Sequence, residues 1–140
     1  MGTVSLALVF SATRALTSAF LGALFGCGGI IPNNRAAGDR FERRVRVLLE
    51  SRGWWVIRAA GSHGIADLVA IRAGITLLVQ AKISGRLSPA DWNGLVELGQ
   101  KTGARPIMVE RPSVRSILWW ELLEPRARRA LGSRSAFSPD

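Results

Sequence analysis

The chain has 140 residues, 48% of them hydrophobic, which is the size of one domain with enough apolar content for a real core. Its single cysteine, Cys27, excludes an intramolecular disulfide framework and a cysteine-based zinc site, and fits a reducing, cytoplasmic setting. Lys and Arg number 19 against 10 Asp and Glu, and the net charge of +9 favours a polyanionic partner, nucleic acid before anionic membrane.

Residues 1–31, "MGTVSLALVFSATRALTSAFLGALFGCGGII", are apolar and carry one charge, Arg14. Ala15–Ile31 gives 17 uncharged residues, the short limit for a membrane span. A secretory signal, a membrane anchor and a mis-assigned translation start are all compatible with such a leader. We set residues 1–34 apart as leader or linker, with membrane contact expected only if the leader is real. Residues 35–124 are expected to form the folded domain, and 125–140 a basic, flexible tail. Residues 35–140 hold 18 of the basic residues and all 10 acidic ones. An arginine-rich composition that merely aids solubility is the bland alternative to a nucleic-acid partner.

"PNNRAAGDR" (Pro32–Arg40) reads as a linker and Asp39–Arg52 as a helix. Phe41, Val45, Leu48 and Leu49 form one apolar stripe, and Gly53 suits the C′ position. Glu42 sits at the edge of that stripe, while Arg40, Arg43, Arg44 and Arg46 lie mostly on other faces. "WWVIRAA" (Trp54–Ala60) is a strand by its aromatic and β-branched content, and "GSHG" (Gly61–Gly64) is a loop. Ala66–Arg72 and Ile75–Ile83 are strands joined by a two-residue turn at Ala73-Gly74. "LSPADW" is a helix start with Ser88 as N-cap, Pro89 at N1, and Leu87 and Trp92 as a hydrophobic staple. That helix runs to about Thr102, stops at Gly103, and turns Trp92, Leu95 and Val96 inward. Arg105–Arg111 and Ser116–Leu122 are two further strands. Helix, three strands, helix and two strands make an α/β architecture around a mixed sheet.

The hairpin Gly64–Lys82, "GIADLVAIRAGITLLVQAK", carries polar residues where burial is costly. With Ala73-Gly74 as the turn, Ile71 faces Thr76, Val69 faces Leu78 and Asp67 faces Gln80. Opposed residues share a sheet face, with Cβ atoms about 4.5–5.5 Å apart. Lys82, two residues beyond Gln80, shares that face. Asp67 is a hard oxygen ligand suited to Mg²⁺ or Mn²⁺, and Gln80 and the Ala81 carbonyl can add neutral oxygens. Lys82 can orient a metal-bound water or neutralise a phosphate. Glu42 reaches the cluster if the first helix packs beside this sheet end. The competing reading is an Asp–Lys pair at a solvent-exposed hairpin end, with Gln80 as a spacer. Ser62 either hydrogen-bonds a phosphate or shapes its turn. His63, the only histidine, is a solvated loop residue or a DNA contact.

Glu42 in the first helix, then "SHGIADLVAI", then "LVQAK", resembles the PD-(D/E)XK nuclease superfamily, with the closer similarity to archaeal-type Holliday junction resolvases and their phage relatives. "GDRFERRVRVLLESRGWWVIRAAGSHGIADLVAI" looks like their opening helix, first strand and serine-bearing loop, and the similarity extends over about Gly38 to Leu122. The resemblance implies a restriction-endonuclease-like core, a central mixed sheet of about five strands flanked by helices. It implies that Glu42 assists metal binding, Asp67 binds the metal, Lys82 is the catalytic lysine and Ser62 the catalytic loop serine. It further implies a homodimer that nicks four-way DNA junctions using Mg²⁺ or Mn²⁺. One position departs: Gln80 stands where the family usually has a carboxylate, which puts the metal number in question. The expected activity is thus a structure-selective endonuclease, with Arg40, Arg43, Arg44, His63 and Arg86 along the DNA. The alternatives are another nuclease of the superfamily, acting on ends, flaps or foreign duplexes, and a DNA-binding protein with a degenerate site.

Overall fold

The computed structural model describes residues 34–59, 64–130 and 132–140. Along them run helix α1 (Asn34–Ser51), strands β1 (Trp55–Arg58), β2 (Leu68–Arg72) and β3 (Ile75–Lys82), helix α2 (Pro89–Thr102), and strands β4 (Arg105–Glu110), β5 (Leu118–Leu122) and β6 (Arg134–Ala136). The strands form one mixed sheet whose spatial order, β1-β2-β3-β4-β5-β6, is the chain order. Only β3 and β4 run parallel, and α2 carries the chain between them. The leader lies outside the described residues, as do Ser62 and His63. Among the described residues, no helix is long and apolar enough to cross a membrane.

The two helices cover opposite faces of the sheet. Phe41, Val45 and Leu49 of α1 pack against Val56, Leu68, Ala70, Leu77, Val79, Ile107 and Val109. Trp92, Leu95 and Val96 of α2 pack against Leu78, Met108 and Leu122. Because β3 and β4 are covered on both sides, they read as near-continuous apolar runs, as buried parallel strands do. Helix α1 begins five residues earlier than its stripe predicts, so residues 34–38 are helical and not a linker. Arg35, Ala36 and Ala37 are good helix formers and extend the first turn. Its other end closes as a Schellman motif: Trp54 N–H donates to Leu49 O (3.1 Å) and Gly53 N–H to Glu50 O (3.0 Å), with Gly53 at φ 79°. For α2, Ser88 Oγ accepts from Asp91 N–H at 3.0 Å and Gly103 adopts φ 71°, so both predicted caps are present.

The tail differs from the sequence reading. Residues 134–136 add a sixth strand beside β5. Phe137 packs on the α1-side core, and Trp54 Nε1–H donates to Pro139 O at 2.7 Å. Arg72 donates to the Asp140 carbonyl, and Arg52 pairs with the Asp140 carboxylate at 2.8 Å. Thin hydrophobicity hid this segment; its anchoring comes from an aromatic ring and a buried indole hydrogen bond. Deleting residues 133–140 is expected to cost about 2–4 kcal/mol, since it uncovers apolar surface and leaves a buried indole N–H unpaired. Urea unfolding measures this, and an unchanged midpoint would show that the strand contributes nothing.

Candidate active site at the open end of the hairpin

The β2–β3 hairpin sets the geometry. Ala73 (φ 47°) and Gly74 (φ 80°) both take positive φ, the mirror-image turn that matches strand twist. Arg72 pairs with Ile75, Ile71 with Thr76 and Val69 with Leu78, which is the predicted register. Regular pairing ends at Leu68↔Val79. Beyond it Asp67 N–H also donates to Val79 O (2.9 Å), a local departure from even spacing. Such irregularities re-aim side chains beside functional sites. Here the Asp67 carboxylate turns to the backbone of the opposing strand, where Oδ2 accepts from Ala81 N–H at 2.8 Å. Among the described residues, no ion pair joins Asp67 and Lys82.

Gln80, 6% exposed, is the one buried polar side chain among the described residues. It projects from the centre of the sheet beside Met108, its partner on β4. Lys82 ends β3 and pairs with Glu110 on β4. Burial pushes the Asp67 carboxyl above its ordinary range. The Ala81 N–H and the Lys82 charge pull it back, the Glu42 charge adds to the rise, and the Gln80 amide favours the ionised form. Lys82, Glu42 and Gln80 thus each act on the Asp67 carboxyl.

Glu42 does not stand free. Arg58 Nε donates to its Oε1 at 2.6 Å and Nη2 to its Oε2 at 3.5 Å. Glu42 in turn holds the Arg58 guanidinium more firmly protonated. Sequence reasoning missed Arg58, although the strand pattern contained the signal. Arg58 shares a strand face with Val56, which is buried under α1, so its side chain emerges at the edge of that face within reach of the first helix. Glu110 was missed too; it accepts from Trp120 Nε1–H at 2.7 Å and lies 3.8 Å from Arg134. Of the expected DNA contacts, Arg40, Arg43, Arg44 and Arg86 are exposed. Arg43 borders a cleft with Asp39, Glu42, Arg46 and Arg58, and Arg44 donates to Val114 O at 3.2 Å.

The donor set can be tested against a divalent cation. Among the described residues, no three His, Cys, Asp or Glu side chains cluster as metal ligands. The candidate donors of the sequence reading are instead all oxygen: the carboxylates of Asp67 and Glu42, the Gln80 amide and the Ala81 carbonyl. That chemistry fits a hard cation such as Mg²⁺, which keeps several waters and needs few protein ligands. It carries one negative charge fewer than a set with a carboxylate at position 80.

Residues 33–131 match the family described as archaeal Holliday junction resolvase (Hjc). The crossover junction endodeoxyribonuclease Hjc of Methanocaldococcus jannaschii is 36% identical over 75 residues, covering 51% of this chain and 56% of that protein. The chain thus spans little more than half the length of this relative. The solved structure of Hjc from Archaeoglobus fulgidus, a Holliday junction resolvase from an archaeal hyperthermophile, superposes with a TM-score of 0.55. It is 25% identical, with 60% of this chain and 76% of that one covered. A mixed six-stranded sheet between two helices, an Asp67-to-Lys82 hairpin and a match over residues 33–131 lead to one conclusion: the chain belongs to the archaeal Holliday junction resolvase family.

Proposed function

We propose that the protein is a metal-dependent endonuclease that resolves four-way DNA junctions, working in the cytoplasm as a homodimer. The observation that carries this reading is the part-buried Asp67 carboxyl, on which Lys82, Glu42 and Gln80 each act, within a chain of this family. Asp67, Glu42, the Gln80 amide oxygen and the Ala81 carbonyl would hold Mg²⁺ or Mn²⁺. When bound, such an ion polarises the scissile phosphodiester and lowers the pKa of its water. Lys82 orients the attacking water and offsets charge on the phosphate. The Ala81 N–H fixes the Asp67 carboxylate, so the acid needs no reorganisation to receive its ligand. Ser62 and His63, which precede β2 in the sequence and lie outside the described residues, complete the proposed DNA contacts with Arg40, Arg43, Arg44 and Arg86. Net charge supports a polyanionic substrate. Two copies related by a twofold axis would bring two such centres to one junction. The exposed apolar row on β1, with Trp55 65% exposed, offers surface for that pairing.

Gln80 favours one rival, a DNA-binding protein that has lost cleavage. The deciding experiment incubates the protein with a synthetic four-way junction under Mg²⁺ or Mn²⁺, beside linear-duplex and flap controls. Solution mass is measured in parallel. Paired nicks confined to the junction, from a particle of twice the chain mass, are expected. Junction binding without cleavage under either metal would establish the rival. Equal cutting of plain duplex would replace the resolvase with a general nuclease.

A further inference from the structure

A second cleft, of about 520 Å³, opens beside the sheet end that carries Lys82. Arg86, Arg126 and Arg134 line it together with Trp92, Gly85 and Gly132. Two of the guanidiniums are held against aromatic faces: Arg126 lies 5.2 Å from the Trp92 ring centre and Arg134 4.1 Å from that of Trp120. Arg126 is fixed further. Its Nη2 donates to the Leu87 carbonyl, and its backbone N–H and C=O both bond the Asn93 amide, at 2.7 and 3.1 Å. Its Nε is buried with no acceptor, which ordinarily costs about 1–3 kcal/mol, more for a charged group. Glu110 is the carboxylate nearby, 3.8 Å from Arg134 and committed to the Trp120 N–H. Among the described residues, neither Arg86 nor Arg126 has a carboxylate partner.

The walls are built close. A Cβ on Gly132 would come within 2.2 Å of the Trp92 ring, and one on Gly85 within 1.9 Å of Glu110 Oε2. Three arginines gathered around a concave space, two of them without a counter-charge, form a repulsive arrangement until an anion enters. Planar guanidinium forks, pre-set by stacking, suit the oxygens of a phosphate. The base of a nucleotide has no platform here, because Trp92 is buried and its ring is already contacted by Arg126 and Gly132.

We propose that this cleft is a second phosphate-binding site, which holds a backbone phosphodiester of the DNA next to the phosphate at Lys82. It rests on the nuclease reading above. The placement follows from the sheet: Glu110 is the strand partner of Lys82, and Arg86 follows Lys82 by four residues. Gly85, which lines the cleft, donates its N–H to Lys82 O at 3.4 Å and backs onto Glu110, so the cleft opens just past the end of β3.

The test measures junction affinity of the full chain against salt concentration, and follows the Trp92 indole N–H signal by NMR. That N–H donates to Glu124 O at 2.9 Å and reports on its wall. Wild type is compared with Arg86→Ala, with Arg86→Ala/Arg134→Ala, and with Lys101→Ala at the far end of α2. The slope of log affinity against log salt should fall by about 1 for each cleft arginine removed and stay nearly unchanged for Lys101→Ala. The Trp92 signal should move on adding DNA. If wild type binds and cuts junctions while the cleft variants keep its slope and the Trp92 signal stays still, the cleft proposal is overturned and the nuclease reading stands. If wild type neither binds nor cuts DNA, both fall. Inorganic pyrophosphate that then moves Trp92 would overturn DNA as the source and assign the cleft to a free phosphate compound. Arg86→Ala alone keeps the test valid should the double variant misfold, since no hydrogen bond or ion pair of the described fold uses its side chain.

Discussion

Asp67→Asn is expected to abolish cleavage while leaving the metal-free fold at least as stable as wild type at neutral pH. The activity loss should reach three orders of magnitude or more, because a bound metal supplies several kcal/mol of charge stabilisation to the transition state. Stability moves the other way for a reason visible in the structure. Burial raises the Asp67 pKa above its ordinary value. A carboxyl whose folded pKa is raised contributes stability that is fully present below its unfolded pKa, about 3.9, and is lost as pH rises through the folded pKa. At neutral pH the ionised carboxylate is therefore a cost to the metal-free fold. Asn keeps an oxygen to accept the Ala81 N–H and has no charge to bury. The variant's advantage should appear above the folded pKa and vanish near pH 3–4. Thermal unfolding in a chelator across that range tests it. A variant less stable than wild type at pH 7 would show that Asp67 is held by contacts that outweigh its burial.

Gln80→Glu is expected to exchange stability for metal affinity. The side chain is almost fully buried beside Asp67, so the introduced carboxylate would sit near a like charge with little water. Without metal, this should cost about 2 kcal/mol and lower Tm by about 10 °C for a domain of this size. With Mg²⁺ or Mn²⁺ the second negative charge should tighten binding at least tenfold, so that the metal-induced rise in Tm exceeds that of wild type. Isothermal titration and paired melting curves measure both halves. If the substitution lowers stability and leaves metal affinity untouched, position 80 is not a ligand, and the Gln80 amide only fills the sheet. A gain in cleavage would show that glutamine limits the proposed activity.

Much of the site was legible because it is local. A two-residue turn fixes the hairpin register as far as Leu68↔Val79, which leaves Gln80 and Lys82 on one face, while the expected Asp67–Gln80 pair lies beyond the regular ladder. The caps of α2 were legible for the same reason, since Ser88, Pro89 and Gly103 act on their own turns. What the sequence concealed depends on packing between distant segments. Arg58 meets Glu42 only because α1 lies over β1. Glu110 meets Trp120 only through the β4–β5 ladder. The turn of Asp67 toward Ala81 is a backbone irregularity with no residue signature. The tail was misread because Phe137 and Pro139 are too few to form a periodic pattern, yet they close over Trp54 and Trp119.

The identity of strand order and chain order bears on how the site is assembled. Every strand pairs with its neighbour in sequence, so the sheet can grow by accretion from its hairpins, with modest loop-closure cost at most steps. The exception is the parallel contact of β3 with β4, which waits for α2 to bridge them. Asp67, Gln80 and Lys82 therefore lie within one hairpin, of a class that forms in microseconds, ahead of the slower long-range docking. Glu42 leaves the ribosome first and joins them by docking of its helix. The proposed metal site is thus split in time: three of its polar residues are brought together by a local event, and the fourth by the closure of the core.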